Sequence, residues 1–149
     1  MPRRLVIKRA GSPSVLEIQD MEMPTPNDGE VCSEVHFAGI NFADTLMRLG
    51  LYQPRPDYPF TPGYELSGGF HAVGANVRDL EIGQRVVAAL PTGAQSSRVC
   101  VKVSRVIPIP DKRGLDAPAA MPVTYLNAHH MYNHLGHLKP VENVARQVG

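Results

Sequence analysis

The chain has 149 residues, 43% of them hydrophobic and 19% charged, with 13 Gly and 14 Pro. That is apolar material for one real core, and it excludes a disordered chain, a coiled coil and a plain helical bundle. Fifteen basic against fourteen acidic residues leave a formal charge of +1, so no electrostatic case exists for nucleic acid or an anionic membrane surface.

Taken in order, residues 5–7 and 15–18 read as β-strands separated by Gly11-Ser12-Pro13. Residues 23–29 are a turn-rich connector. Residues 30–38 alternate, which places Val31, Ser33, Val35 and Phe37 on one side of a strand. A helix follows: Asn41 is placed to cap it, and Asp44 completes an Asp version of the capping box. Phe42, Leu46 and Leu49 share a face of that helix, and Gly50 fits the left-handed position after it. Strands are expected again at 69–73, 85–90, 98–103 and 105–109. Beyond Gly114, Asp116 can cap residues 117–120 and Pro122 can open a second helix. In that helix Tyr125, His129, Tyr132 and Leu135 share a face, with His129 on the packed side, and Gly136 ends it. Many short strands at close spacing argue for a barrel or sandwich rather than an alternating βαβ sheet.

No apolar run approaches the ~20 residues that span a bilayer. The apolar stretch of the basic N-terminus is too short for a signal peptide, and the expectation is a soluble, cytoplasmic protein. Cys32 and Cys100 lie in strand-like runs and suggest neither a disulfide framework nor a metal knuckle. His129, His130, His134 and His137 cluster, and the i, i+4 spacing of His130 and His134 allows a shared metal. No HExxH and no supporting Cys or carboxylate accompanies them, so they are read as a polar helix face and no metal ligand is assigned.

One set of segments is recognisable: Gly39-Ile40-Asn41-Phe42-Ala43-Asp44, Arg48-Leu49-Gly50-Leu51-Tyr52 and Pro59-Phe60-Thr61-Pro62-Gly63-Tyr64-Glu65. It continues in Ala72-Val73-Gly74, Gly83-Gln84-Arg85-Val86, Pro108-Ile109-Pro110-Asp111 and Pro122-Val123-Thr124-Tyr125-Leu126. This ordered set resembles the zinc-independent quinone oxidoreductases (zeta-crystallin type) of the medium-chain dehydrogenase/reductase superfamily. The resemblance implies a mainly β fold with a few helices, a GroES-like β-barrel catalytic domain over residues 1–121. Residues 122–149 would then be a connector helix and the truncated start of a nucleotide-binding domain, with the Rossmann domain absent. In the zinc alcohol dehydrogenases of that superfamily a Cys ligand stands at the Asn41 position and a His at the Tyr64 position. Neither Asn nor Tyr replaces a thiolate or imidazole at zinc. The four-cysteine lobe has no counterpart between Val87 and Val101, and zinc-based alcohol oxidation is not expected.

The family transfers hydride from NADPH to a quinone or enal, so the implied substrate is a small electron-poor carbonyl compound. No two glycines of this chain are two positions apart, so no G-x-G-x-x-G turn exists for a pyrophosphate. The family's own glycine turn, due soon after Pro140, is replaced by residues 141–149, which resemble the helix that would follow it. The expectation is therefore that this chain alone binds no cofactor and is catalytically incompetent. By position the resemblance puts Asn41, Tyr52 and Thr61 at the catalytic rim and Tyr64 in the cleft wall. It puts Asn41 and Asn127 at the nicotinamide end, Asn127 where relatives usually have Thr. An N-cap role explains Asn41 equally well, and Glu65 is expected to pair with an arginine. The alternative is a non-catalytic interaction module, with self-association through an uncovered interdomain face.

Overall fold

The computed structural model describes residues 1–78, 80–140 and 142–144. The first two strands, β1 (Arg3–Ile7) and β2 (Leu16–Asp20), pair antiparallel with Arg3 opposite Asp20 and Ile7 opposite Leu16. A 3-10 turn at Pro13–Val15 links them, with Pro13 supplying the preset φ. A surface ion pair, Lys8 Nζ to Glu17 at 2.6 Å, ties the end where the turn joins them.

Five further strands make one antiparallel sheet: β3 (Glu30–Ala38), β4 (Glu65–Val73), β5 (Arg85–Ala89), β6 (Arg98–Lys102) and β7 (Val106–Pro108). Their spatial order is β6-β3-β4-β5-β7. Backbone bonds join the small sheet to this large one: Leu5 N to Gln95 O at 2.9 Å, Ser97 N to Arg3 O at 2.7 Å and Ile7 N to Phe60 O at 2.9 Å. These contacts satisfy strand groups that an open edge would leave bare, and they produce the mainly β, barrel-like arrangement that the sequence implied.

Several local expectations change. Strand β4 starts at Glu65 rather than at residue 69, because the Gly68-Gly69 pair is part of the strand and not a turn. A Cβ on Gly68 would run into the backbone carbonyl of Glu34 on β3, so glycine serves close strand approach there. Strand β3 does not alternate as expected. Val31, Cys32 and Ser33 are all buried while Phe37 is 49% exposed. The register slips between Cys32 and Ser33 and again between Val35 and Phe37, and each slip breaks the period of two. The β3–β6 register sets Cys32 directly opposite Cys100, where the two form a disulfide. That corrects the expectation of no disulfide, which a separation of 68 residues had given no means to foresee.

Helix α1 (Phe42–Leu49) forms where expected, and Gly50 adopts φ 78° after it. Its buried residues are Asp44 and Met47, not the Phe42–Leu46–Leu49 stripe, since Phe42 and Leu49 are exposed. Helix α2 (Asp116–Ala119) has Leu115 at the N-cap, so Asp116 is its first helical residue and not its cap. Helix α3 (Met121–His129) runs into a π-helical turn at His130–Leu135. Residues 122–135 are thus helical as expected, but the predicted face is not packed: Tyr125, His129 and Leu135 are all exposed. The stretch read as a helix after a skipped turn falls mostly on residues 141 and 145–149, outside the described residues.

The core has three parts. Leu66, Ala88, Leu90, Ala94 and Val101 fill the centre of the large sheet, and Val31, Phe70 and Val86 fill its far end. Ile7, Val15, Met47 and Phe60 join the small sheet to α1, with Tyr52, Tyr58 and Tyr64 packed against them. This third part supports the candidate site.

Candidate functional site

Strand β3 ends at Ala38, and Gly39-Ile40 carries the chain into α1, so the helix N-terminus lies beside the start of β4. Asn41 occupies the N-cap in extended conformation. Its backbone N–H donates to Asp44 Oδ2 at 2.8 Å, which satisfies a donor that the helix leaves open. Its side-chain Nδ2 donates to Glu65 Oε1 at 2.9 Å. Asn41 is therefore held by two carboxylates, one on its backbone and one on its amide.

Both carboxylates are interior groups: Asp44 is 6% exposed and Glu65 2%. Each bridges two segments. Asp44 Oδ1 accepts from the backbone N–H of Gly63 at 3.0 Å, which fixes the loop leading into β4. Glu65 Oε2 accepts from the backbone N–H of Val123, in the first turn of α3, at 2.8 Å. The expected arginine partner of Glu65 is absent among the described residues; an amide and a helix N-terminus take its place, the latter a favourable setting for a negative charge. A Cβ on Gly39 would collide with the Glu65 carboxyl, so glycine is required for Glu65 to lie where it does.

Burial pushes the Asp44 carboxyl above the ordinary aspartate range, opposed by its bonds from Asn41 and Gly63 and assisted by the charge of Glu65. Burial, with the Tyr52 phenol beside it, pushes the Tyr64 hydroxyl above the ordinary tyrosine range. Tyr64 is consequently a protonated donor at neutral pH, with Met47 Sδ 3.8 Å from its oxygen. Tyr58, outside the predicted set, donates to the Met47 carbonyl at 2.7 Å and caps the end of α1.

The predicted residues are thus placed as follows. Asn41 sits at the junction of α1, β4 and α3, and Tyr52 and Tyr64 lie together on the cluster around Met47. The carbonyl of Thr61 accepts from the Thr92 hydroxyl, whereas its own Oγ1 is buried and has no hydrogen-bond partner. An orphaned interior hydroxyl is uncommon. Asn127 stands apart, exposed on α3 one helical turn beyond Val123. Sequence reasoning noted both carboxylates but missed what they bridge to, Gly63 and Val123. One signal was available: α3 begins Ala120-Met121-Pro122 with no Ser, Thr, Asp or Asn to cap it, so its cap had to come from elsewhere.

The positions where zinc ligands stand in zinc enzymes are engaged otherwise, with Asn41 Nδ2 on Glu65 and the Tyr64 hydroxyl near Met47. Among the described residues no group of three or more His, Cys, Asp or Glu is arranged to hold a metal ion. The histidine cluster instead stacks: the His130 and His134 rings are 5.3 Å apart between centroids, and His129 is 5.8 Å from His134. No helix among the described residues is long and apolar enough to cross a membrane.

Comparison with known proteins gives a match to the family described as the alcohol dehydrogenase GroES-like domain over residues 27–111, more than half of the chain. The chain is 35% identical over 143 residues to the synaptic vesicle membrane protein VAT-1 homolog of Danio rerio, covering 95% of this chain and 30% of that protein. The crystal structure of the human synaptic vesicle membrane protein VAT-1 homolog-like protein superposes with a TM-score of 0.90 at 34% identity. It covers 93% of this chain and 45% of its own. Escherichia coli quinone oxidoreductase complexed with NADPH superposes with a TM-score of 0.88 at 30% identity, over 94% of this chain and 43% of its own. The chain spans less than half the length of each of these three proteins.

Proposed function

From the premise that the chain belongs to the alcohol dehydrogenase GroES-like domain family, on its zinc-independent quinone oxidoreductase side, we propose that it is the substrate-side domain of an NADPH-dependent quinone or enal reductase. The observation that carries this reading is the superposition on Escherichia coli quinone oxidoreductase complexed with NADPH, over 94% of this chain at 30% identity. Asn41, Tyr52 and Thr61 are neutral hydrogen-bonding side chains, and with the Asp44 and Glu65 carboxylates behind Asn41 they suit an uncharged, electron-poor carbonyl compound better than an anion.

Asn41, Tyr52 and Thr61 form the rim of the cleft in this reading, and Tyr64 forms its wall. The nicotinamide, when bound, supplies the hydride; Asn41 and Asn127 are the residues here that would hold that end of it. The second proton of the Asn41 amide and the Tyr52 phenol donate to the substrate oxygen and stabilise the negative charge that grows on it. Tyr64, protonated at neutral pH, keeps the wall uncharged. No side chain has to act as a nucleophile, and solvent protonates the product anion.

The 149 residues contain no dinucleotide-binding glycine turn, so turnover by this chain alone is not expected. The test is a titration of the 15N-labelled chain with NADPH and with 2,3-dimethyl-1,4-naphthoquinone, whose substituted ring carbons resist thiol addition. The expected result is saturable quinone binding that shifts the resonances of Asn41, Tyr52 and Thr61, no consumption of NADPH, and weak or no NADPH binding. Quinone shifts confined to other residues would sink this reading. The second reading, an interaction module, is favoured by the exposed apolar side chains Ile40, Phe42 and Leu51 around α1. It predicts self-association and no quinone site.

A further inference from the structure

We infer that Glu65 is a positioning residue: it sets the orientation of the Asn41 amide and locks that amide to the N-terminus of α3, so that the cleft and the helix move as one unit. Its importance for substrate rests on the reading of Asn41 given above, but the mechanical link does not.

Four observations converge on it. Glu65 is the first residue of β4, the central strand of the large sheet bonded on both sides, so its backbone is among the most restrained in the fold. Its side chain is 2% exposed, and a buried carboxylate is tolerated only where its oxygens are satisfied. Here each oxygen has a different partner: Oε1 takes Asn41 Nδ2 at 2.9 Å and Oε2 takes Val123 N at 2.8 Å. Gly39, whose N–H also donates to the Glu65 carbonyl at 3.1 Å, leaves out the one atom that would displace the carboxyl.

The chemical consequence concerns which end of the amide faces the cleft. An asparagine amide can turn over and exchange its oxygen for its nitrogen, which would replace a donor by an acceptor. A carboxylate accepts only, so the partner of Oε1 must be the NH2 group. The amide therefore keeps its donor end on the Glu65 side, leaving one further N–H for a ligand oxygen. The same carboxylate caps a helix whose own sequence provides no cap, so a shift of α3 pulls on Glu65 and thereby on Asn41. Asp44 holds the backbone of the same residue from the other side, and the capping box turns the amide oxygen toward the Asp44 backbone N–H, so Glu65 fixes the NH2 end of an amide whose oxygen end faces the helix.

The link is tested in the full 149-residue chain by NMR. In the wild type, hydrogen-bond scalar couplings should connect the Val123 backbone nitrogen and the Asn41 side-chain nitrogen to the Glu65 carboxyl carbon. Absence of the Asn41 coupling in the folded chain would overturn the inference without any variant. Glu65→Met keeps the side-chain length and removes both acceptors. It should shift the Asn41 side-chain NH2 resonances, speed hydrogen exchange at the Val123 amide at least tenfold, and weaken binding of 2,3-dimethyl-1,4-naphthoquinone about tenfold. Faster exchange at Val123 with the Asn41 resonances unmoved would make Glu65 a helix cap alone and refute the positioning role. If the wild type binds no quinone, the functional reading fails, while the couplings and the Asn41 shifts still decide the role of Glu65.

Discussion

The Asp44 carboxylate on α1 accepts a hydrogen bond from the backbone N–H of Gly63 at 3.0 Å, tying the helix to the loop that enters β4. Burial raises this carboxyl above its ordinary value, so the folded state favours the protonated form. For a raised carboxyl, the stabilisation is fully present below the unfolded pKa, about 3.9 for aspartate, and is lost as pH rises through the folded value. Asp44→Asn fixes the neutral state but sets an NH2 where one Asp44 oxygen accepts a backbone N–H, so it forfeits about 0.5–1.5 kcal/mol at acid pH. Its deficit relative to wild type should shrink between pH 4 and pH 7 in urea unfolding. A deficit that widens over that range would show that the fold favours the ionised form.

Gly39→Ala places a methyl group against the Glu65 carboxyl. The carboxyl belongs to a side chain fastened at both oxygens, so it cannot simply swing aside. Overpacking of this kind costs roughly 1–3 kcal/mol, and the melting temperature should fall accordingly. Hydrogen exchange at Val123, far along the sequence, should accelerate in the same variant. An unchanged melting temperature would mean that Glu65 has room to relocate.

Tyr52→Phe separates packing from chemistry. The ring of Tyr52 packs against the cluster of Ile7, Val15, Met47 and Phe60, and phenylalanine retains it. The melting temperature should stay close to wild type. Affinity for 2,3-dimethyl-1,4-naphthoquinone should drop by about 2- to 10-fold, the worth of one neutral hydrogen bond. Affinity at the wild-type level would remove Tyr52 from the rim.

What the sequence made legible follows from the range of each signal. The capping box at Asn41–Asp44 and the glycine stop at Gly50 are local, and α1 has the bounds they imply. The side of α1 that is buried was misjudged, because its interior residue Asp44 is polar and its apolar residues Phe42 and Leu49 face outward. Polarity patterns assume that the core is apolar, and a carboxylate satisfied by two backbone donors escapes that rule. Strand β3 was located correctly but its faces were not, since bulges leave no mark in residue type. Asn41, Tyr52 and Tyr64 were singled out only by resemblance, which carries position but not partners. Glu65 was noticed yet given the wrong partner: its bonds to Asn41 and Val123 span 24 and 58 residues, and only the fold supplies that proximity.

The outward face of α1 gives the last prediction. Phe42 on the helix is 76% exposed, and Ile40 just before it and Leu51 just after it are 84% and 73% exposed, large apolar side chains left open to solvent. Serine at an exposed position removes little packing, so Phe42→Ser should change stability by no more than about 0.5 kcal/mol. If this face mediates contact between copies, sedimentation velocity should show a concentration-dependent dimer in the wild type that Phe42→Ser diminishes. A wild type that stays monomeric as concentration rises would rule out self-association through α1. The loss of a dimer in Phe42→Ser at unchanged melting temperature would place the contact on the helix itself, because the variant leaves the buried Asp44 and Met47 face intact.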